Sequence, residues 1–182
     1  VPRKKYGIEL LLGTELNIMN ARGEIDLPDS VLERLDIAIA SIHMPCFKDE
    51  RTIDNVTAAY EKVMEHPYVD IIGHPDDGRF PVDMKRLVKK AKETGTLLEV
   101  NNSSLRPEGF RENTKENCLE MVKECKAQGV MIVLGSDSHV DADIAEYPYA
   151  EEILRETDFP EELVANVSLE KLKACIKHGK KL

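Results

Sequence analysis

Three histidines and two carboxylates recur at matching places along the chain: Glu15 in Gly13-Thr-Glu15-Leu-Asn17, His43 in Ser41-Ile-His43, His74 in Gly73-His74-Pro75-Asp76-Asp77, and Asp137 and His139 in Gly135-Ser-Asp137-Ser-His139. Imidazole nitrogen is a borderline donor and carboxylate oxygen a hard one, so the set suits zinc, manganese or iron. Taken singly, each residue has a plainer reading. A lone histidine at a strand end is more often a hydrogen-bonded structural group, Glu15 reads equally as a surface acid, and Asp137 as a helix cap. The constellation outweighs its members, because chance would scatter three of the five histidines rather than set all three at the ends of strand-like runs. His66, before Pro67, and His178, near the C-terminus, lack that placement and read as structural, favourable with a helix dipole. Asn101 to Ser104 are loop formers whose side chains either bond the backbone or touch a substrate.

The elements that position these residues follow from hydrophobic pattern. Apolar runs of strand length lie at Ile8 to Ile18, Ile37 to Ile42, Val69 to Ile72, Leu97 to Val100 and Val130 to Leu134, with a weaker one at Leu163 to Val167. They are mostly continuous, as strands buried on both faces are. Between them run stripes of helical period: Ile53, Val56, Tyr60, Val63 and Met64 ended by Pro67; Met84, Leu87, Val88 and Ala91 between Asp83 and Gly95; Cys118, Met121, Val122 and Cys125 before Gly129; and Leu169, Leu172 and Ile176 behind Ser168. Asn20 to Gly23 reads as a local turn. Alternating β and α elements imply parallel strands with right-handed crossovers, closed as a barrel or left as an open doubly wound sheet. In a parallel barrel the strand C-termini converge on one face, which would make neighbours of residues far apart in sequence.

With 182 residues and 42% apolar content, the chain is expected to form one domain over 1–182 with its own core. No linker or repeat divides it. No apolar run approaches the ~20 residues that span a bilayer, and no secretory leader is visible, so no membrane partner and a cytoplasmic location are expected. A net charge of −9 disfavours a nucleic-acid surface and favours a small substrate. Four cysteines without a C-x-x-C pair read as reduced thiols; Cys46, close behind His43, is the one near the presumed site.

The segments Gly13-Thr-Glu-Leu-Asn-Ile18, Ser41-Ile-His-Met-Pro45, Ile72-Gly-His-Pro75, Glu99-Val-Asn-Asn-Ser-Ser104 and Leu134-Gly-Ser-Asp-Ser-His139 resemble the PHP (polymerase and histidinol phosphatase) superfamily. The likeness is strongest to its small bacterial phosphatases of the YcdX type and runs over nearly the whole chain. It implies an α/β fold, a distorted parallel (βα)7-type barrel, with a trinuclear metal site, usually of zinc, that manganese or iron also serves. By that resemblance Glu15 bridges two ions, His43 and His74 ligate one of them, Asp137 serves the second and His139 the third.

The family's opening His-x-His motif and its Asp-His at the second strand are absent here. The expectation is therefore an incomplete barrel, N-terminally truncated and lacking the first strands, with impaired activity and self-association through its open edge strand. The expected function is a metal-dependent phosphoesterase that hydrolyses small phosphate monoesters through a metal-bound hydroxide. Arg79 and Arg106, on loops behind site strands, are candidates to grip a phosphate, against the alternative of ordinary surface arginines. The rivals are a phosphodiesterase or exonuclease acting on nucleic acid, an amidohydrolase-like enzyme, and a non-catalytic metal-binding module.

Overall fold

The computed structural model describes residues 7–178 and, in addition, the backbone of Lys4 and Lys5. Two short strands, β1 (Lys4–Lys5) and β2 (Ile8–Glu9), pair antiparallel and stand apart from the main sheet. That sheet is parallel and five-stranded, in the order β3 (Gly13–Asn17), β4 (Ile37–Ser41), β5 (Ile71–Ile72), β6 (Leu97–Asn101) and β7 (Ile132–Gly135). Strand order follows chain order, so each crossover moves one place along the sheet, as helical connections between parallel strands require.

Those connections are α1 (Asp29–Leu32), α2 (Ile53–Val63), α3 (Met84–Thr94) and α4 (Thr114–Gln128); α5 (Pro148–Thr157) and α6 (Leu169–Cys175) follow β7. Their starts and stops are chemical. Thr52 accepts from the Asn55 N–H at the head of α2, Asp83 from Arg86 at α3, and Ser168 from Lys171 at α6. Gly95 and Gly129 close α3 and α4 in the left-handed conformation, at no steric cost to a residue without Cβ. Most of the expected stripes are buried: Val56, Tyr60 and Val63 of α2, Leu87, Val88 and Ala91 of α3, and Cys118, Met121, Val122 and Cys125 of α4, whereas Ile53 is exposed at the first turn of α2 and of the fourth stripe only Ile176, just past α6, is buried.

Strand pleating divides the sheet between two cores. Leu16, Ala38, Ala40, Ile72, Leu98, Val100 and Ile132 join the larger core with the helix stripes. On the opposite face Ile71, Leu97 and Val133 pack with Ala165 and Ile176, with Ile37, Ile39 and Leu172 at their margin. Further along that second face the same period-two rows turn polar: Glu15, Asn17, Ser41, Glu99 and Asn101. One face is thus apolar toward the strand N-termini and polar toward the C-termini.

Several elements differ from their sequence expectation. The run from Ile8 to Ile18 is not one strand, because Leu10 to Leu12 are irregular between β2 and β3. Leu163 to Val167 forms short 3₁₀ turns rather than a strand, touching the sheet at a single bridge from Val164 to Ile132. Asn166 explains this: its side chain bonds both the N–H and the carbonyl of Leu134, taking the place of a strand ladder. His178 lies past the end of α6, where its partner is the buried Asp70 carboxylate rather than the helix dipole. The weakly patterned α1 and α5 are not expected from sequence. Asn20 to Gly23 forms the expected turn, with Gly23 N–H donating to Asn20 O and Gly23 at φ +74°. The four cysteines are free thiols, and no helix among the described residues is long and apolar enough to cross a membrane.

Candidate metal centre

In-register pairing of β3, β4 and β5 aligns their C-terminal ends, with Asn17 opposite Ser41 and Ile39 opposite Ile71. Glu15 points from β3, His43 follows β4 and His74 follows β5, and one donor atom from each lies within 4.8 Å of the others. Glu15 Oε1 is 3.2 Å from His74 Nε2 and 3.4 Å from His43 Nε2. The two imidazoles bond the Glu15 carboxylate, His43 most strongly and then His74, and hold it well below the usual carboxylate range.

The His43 ring is aimed by a chain of bonds. Asn17 Nδ2 donates to Asp26 Oδ2 (2.6 Å), and the Asn17 backbone N–H donates to Asp26 Oδ1 (2.9 Å). With its amide nitrogen so used, Asn17 presents Oδ1 to His43 Nδ1 at 2.8 Å. In the neutral ring that nitrogen is then the donor and Nε2 has the lone pair a metal would take, whereas the bond from Nε2 to Glu15 needs a proton on both ring nitrogens. His74 is held differently. Its backbone N–H donates to Glu99 Oε2 at 2.9 Å, its φ is +31°, and its ring Nδ1 is buried without a partner. A non-glycine residue in the left-handed region is costly and recurs at functional sites.

Glu99 occupies the middle of the polar face, buried, and burial pushes its carboxyl up. It fits because Gly135 has no side chain: a Cβ there would overlap the Glu99 carboxylate, and one on Gly73 would overlap the Ser41 hydroxyl. Asn101 Nδ2 bridges Glu99 Oε2 (3.1 Å) to Asp137 Oδ2 (3.2 Å). Asp137, at φ +49° beyond β7, therefore joins the triad through this bridge rather than by contact. His139 is 86% exposed and turns Nδ1 toward the Asp137 carbonyl at 3.0 Å. The structure thus brings Glu15, His43 and His74 together, sets Asp137 alongside, and leaves His139 on the rim.

The arginines expected near a phosphate each hold an acid. Arg79 binds the buried Asp77 through Nε and Nη2 (2.5 Å for Nη2 to Oδ2), and Arg106 Nη2 lies 2.8 Å from Asp143 Oδ2. Burial works against the Asp77 charge, yet the Arg79 side-chain and backbone N–H groups hold its carboxyl below the usual range. Arg111, which no sequence pattern singles out, is the more deeply placed. Its Nη1 donates to Ser104 Oγ at 2.7 Å, and its Nη2 lies 3.4 Å from Asp137 Oδ2. Asp76 stands out in the sequence only as part of the His74 segment. It is buried with neither carboxylate oxygen bonded, and burial pushes its pKa to about 7. His66 meets Asp29 at 3.2 Å, away from the cluster.

The residues fit a divalent ion on chemistry and on geometry: two imidazole nitrogens and a carboxylate oxygen converge, one ring with its lone pair fixed inward. Glu99 had a sequence signal, an acid inside a strand-length apolar run. Arg111 had none, since its acid partner Asp137 lies on another loop.

No protein-family model matches the chain. A probable phosphatase of Clostridium novyi (strain NT) is 46% identical over 182 residues, covering 100% of this chain and 73% of its own length. A probable phosphatase of Acetivibrio thermocellus is 41% identical over 180 residues, 99% of this chain and 73% of that protein. Among solved structures, the histidinol phosphate phosphatase of Lactococcus lactis subsp. lactis Il1403, complexed with zinc, L-histidinol and phosphate, superposes with a TM-score of 0.57. That match has 15% identity and covers 85% of this chain and 69% of the other, a likeness of fold.

Proposed function

This chain belongs to the family of the probable phosphatases it matches, and from that premise we propose that it hydrolyses small phosphate monoesters with the aid of divalent metal ions. The finer placement we propose is within the PHP superfamily, near its YcdX-type phosphatases, as a (βα)7-type barrel domain. One observation carries the reading: Glu15, His43 and His74, from three separate strand ends, present donor atoms within 4.8 Å of one another. Zinc suits two nitrogens and an oxygen, and manganese or iron accepts the same donors. In this reading Asp137 and His139 would help to hold further ions.

Bound divalent ions supply Lewis acidity, lowering the pKa of water and neutralising phosphate charge. The protein's own residues do the positioning. Asn17 fixes the tautomer of His43, Glu99 holds the His74 backbone, and Asn101 with Arg111 orients the Asp137 carboxylate. Arg79 and Arg106, on the loops beyond β5 and β6, retain guanidinium N–H groups beyond those given to Asp77 and Asp143, and can meet phosphate oxygens.

The test is elemental analysis of the purified protein beside a panel of phosphate monoesters, phosphodiesters and amides. Bound zinc, manganese or iron with turnover confined to monoesters is the expected result. Metal-free protein that turns over equally, or activity on amides alone, overturns the proposal.

A further inference from the structure

The mouth of the site carries an alternating row of guanidinium and aromatic groups. Arg51 stands 5.8 Å from the Phe80 ring centroid, Arg79 stands 5.9 Å from Phe80 and 4.8 Å from Phe110, and Arg111 stands 5.4 Å from Phe110. The row starts beside Met44, the residue after His43, whose sulfur accepts from Arg51 Nη1 at 2.8 Å. It ends at Asp137 through Arg111. Cations over ring faces are attracted to them and lose rotamer freedom in the process.

The row is unevenly neutralised. Arg111 faces Asp137, and Arg79 clamps Asp77. Arg51, exposed, meets a thioether and a ring, with no carboxylate at ion-pair distance among the described residues. Beside it the surface opens into a groove of about 440 Å³ lined by Met44, Arg51, Gly78, Arg79 and Glu112. The floor is fixed by Gly78 N–H donating to Glu112 O at 2.7 Å, a close approach that a Cβ on Gly78 would block. Glu112 lines the same groove, and of the groove's two guanidiniums Arg79 is held by Asp77 while Arg51 has no carboxylate at ion-pair distance among the described residues.

We infer that this groove receives an acidic group on the part of the substrate remote from the scissile phosphate, with Arg51 as its contact. The preferred esters then carry a second phosphate or a carboxylate. A guanidinium parked on a ring and a sulfur is already ordered, so binding an anion costs it little entropy, and its remaining N–H edge suits two parallel bonds to an oxyanion. The inference rests on the phosphatase reading and narrows its substrate class.

The experiment uses the metal-loaded protein on paired esters, phosphoglycerate against glycerol phosphate for the carboxylate and glucose bisphosphate against glucose phosphate for the second phosphate. At least one two-acid ester is expected to show kcat/KM about tenfold above its partner, mostly through KM. Arg51→Met should cut that ratio at least about fivefold and Arg51→Lys should keep part of it, while Arg34→Met, an exposed arginine outside the groove, should leave it unchanged. Absence of any preference, or a preference that survives Arg51→Met, overturns the inference while leaving the phosphatase reading intact. Should no ester be hydrolysed, the phosphatase reading fails, and calorimetry with inorganic pyrophosphate still decides the groove: equal binding by wild type and Arg51→Met, or none, overturns it.

Discussion

The sheet carries a histidine and carboxylate group at each of its ends, and the two differ in how far their polar atoms are used. At the strand N-termini, Asp70 Oδ2 accepts from the Ala38 N–H (2.8 Å) and faces His178 Nδ1 (2.6 Å), Oδ1 accepts from the His178 N–H (3.1 Å), and His178 Nε2 meets Leu32 O (3.1 Å). Both side chains are at most 1% exposed, and no donor or acceptor is left over. At the C-termini, a single Glu15 oxygen serves two imidazoles, Glu15 is 44% and His43 33% exposed, and His74 Nδ1 is buried without a partner. Residue type does not separate the two groups. What does is satisfaction: a closed network joins elements, whereas an open one has capacity for a ligand.

The sharpest way to break this contrast is to remove a carboxylate from each end. Glu15→Gln or His74→Ala should lower phosphatase activity about a thousandfold or more, because stabilisation of developing charge by bound ions lowers the barrier more than most other catalytic effects do. The melting of the metal-free variants should stay close to that of metal-free wild type. Chelation of wild type should give the same loss, and added zinc should restore it; steady-state assays with metal analysis read all of this. Asp70→Ala should do the reverse. It strands the Ala38 N–H and the two His178 nitrogens, a cost of roughly 3–5 kcal/mol in urea unfolding, with metal content per folded molecule unchanged. If Glu15→Gln unfolds the protein as Asp70→Ala does, the two ends are alike and the contrast is lost.

A carboxylate beside the open end sharpens it through pH. Asp76 titrates near 7 in the folded chain because burial opposes its charge, against an ordinary value of about 4 when unfolded. The native state therefore holds a proton that the unfolded chain releases across this window, and stability falls as pH rises from about 4 through 7. The full effect is roughly 4 kcal/mol, reached above pH 7. Asp76→Asn should flatten that slope and stabilise the protein at pH 8, as unfolding free energies at pH 5 and pH 8 will show. An unchanged slope would mean that another group carries it.

How much of this was legible depended on where partners lie. The strand-end residues were visible because each follows its own apolar run, and α3 was visible from both ends because Asp83 and Gly95 cap it through local bonds. The turns at 161–167 mimic a strand in sequence because Asn166 replaces a ladder with side-chain bonds to Leu134, 32 residues away. Arg111 was invisible for the same reason. Its acid partner Asp137 is 26 residues on, and nothing in Phe110-Arg111-Glu112 announces a buried guanidinium. Asp70 and His178, 108 residues apart, carried no pattern that could tell a closed pair from an open one.

The smallest effect tests the support of a single ring. Asn17 Oδ1 fixes His43 Nδ1 as donor, and Asp26 fixes Asn17. Removing such an outer partner frees ring orientation and tautomer without removing a ligand atom, which typically weakens metal binding by about 10–100-fold. Asn17→Ala should thus raise the metal dissociation constant by that factor, and activity should recover at saturating metal. Asn17→Asp combined with Asp26→Asn, which keeps a donor and an acceptor between the two side chains, should bind at least as tightly as wild type, since a carboxylate accepts the same imidazole N–H. The pair separates aiming from packing: a merely structural Asn17 would give equal losses in both variants, and excess metal would rescue neither.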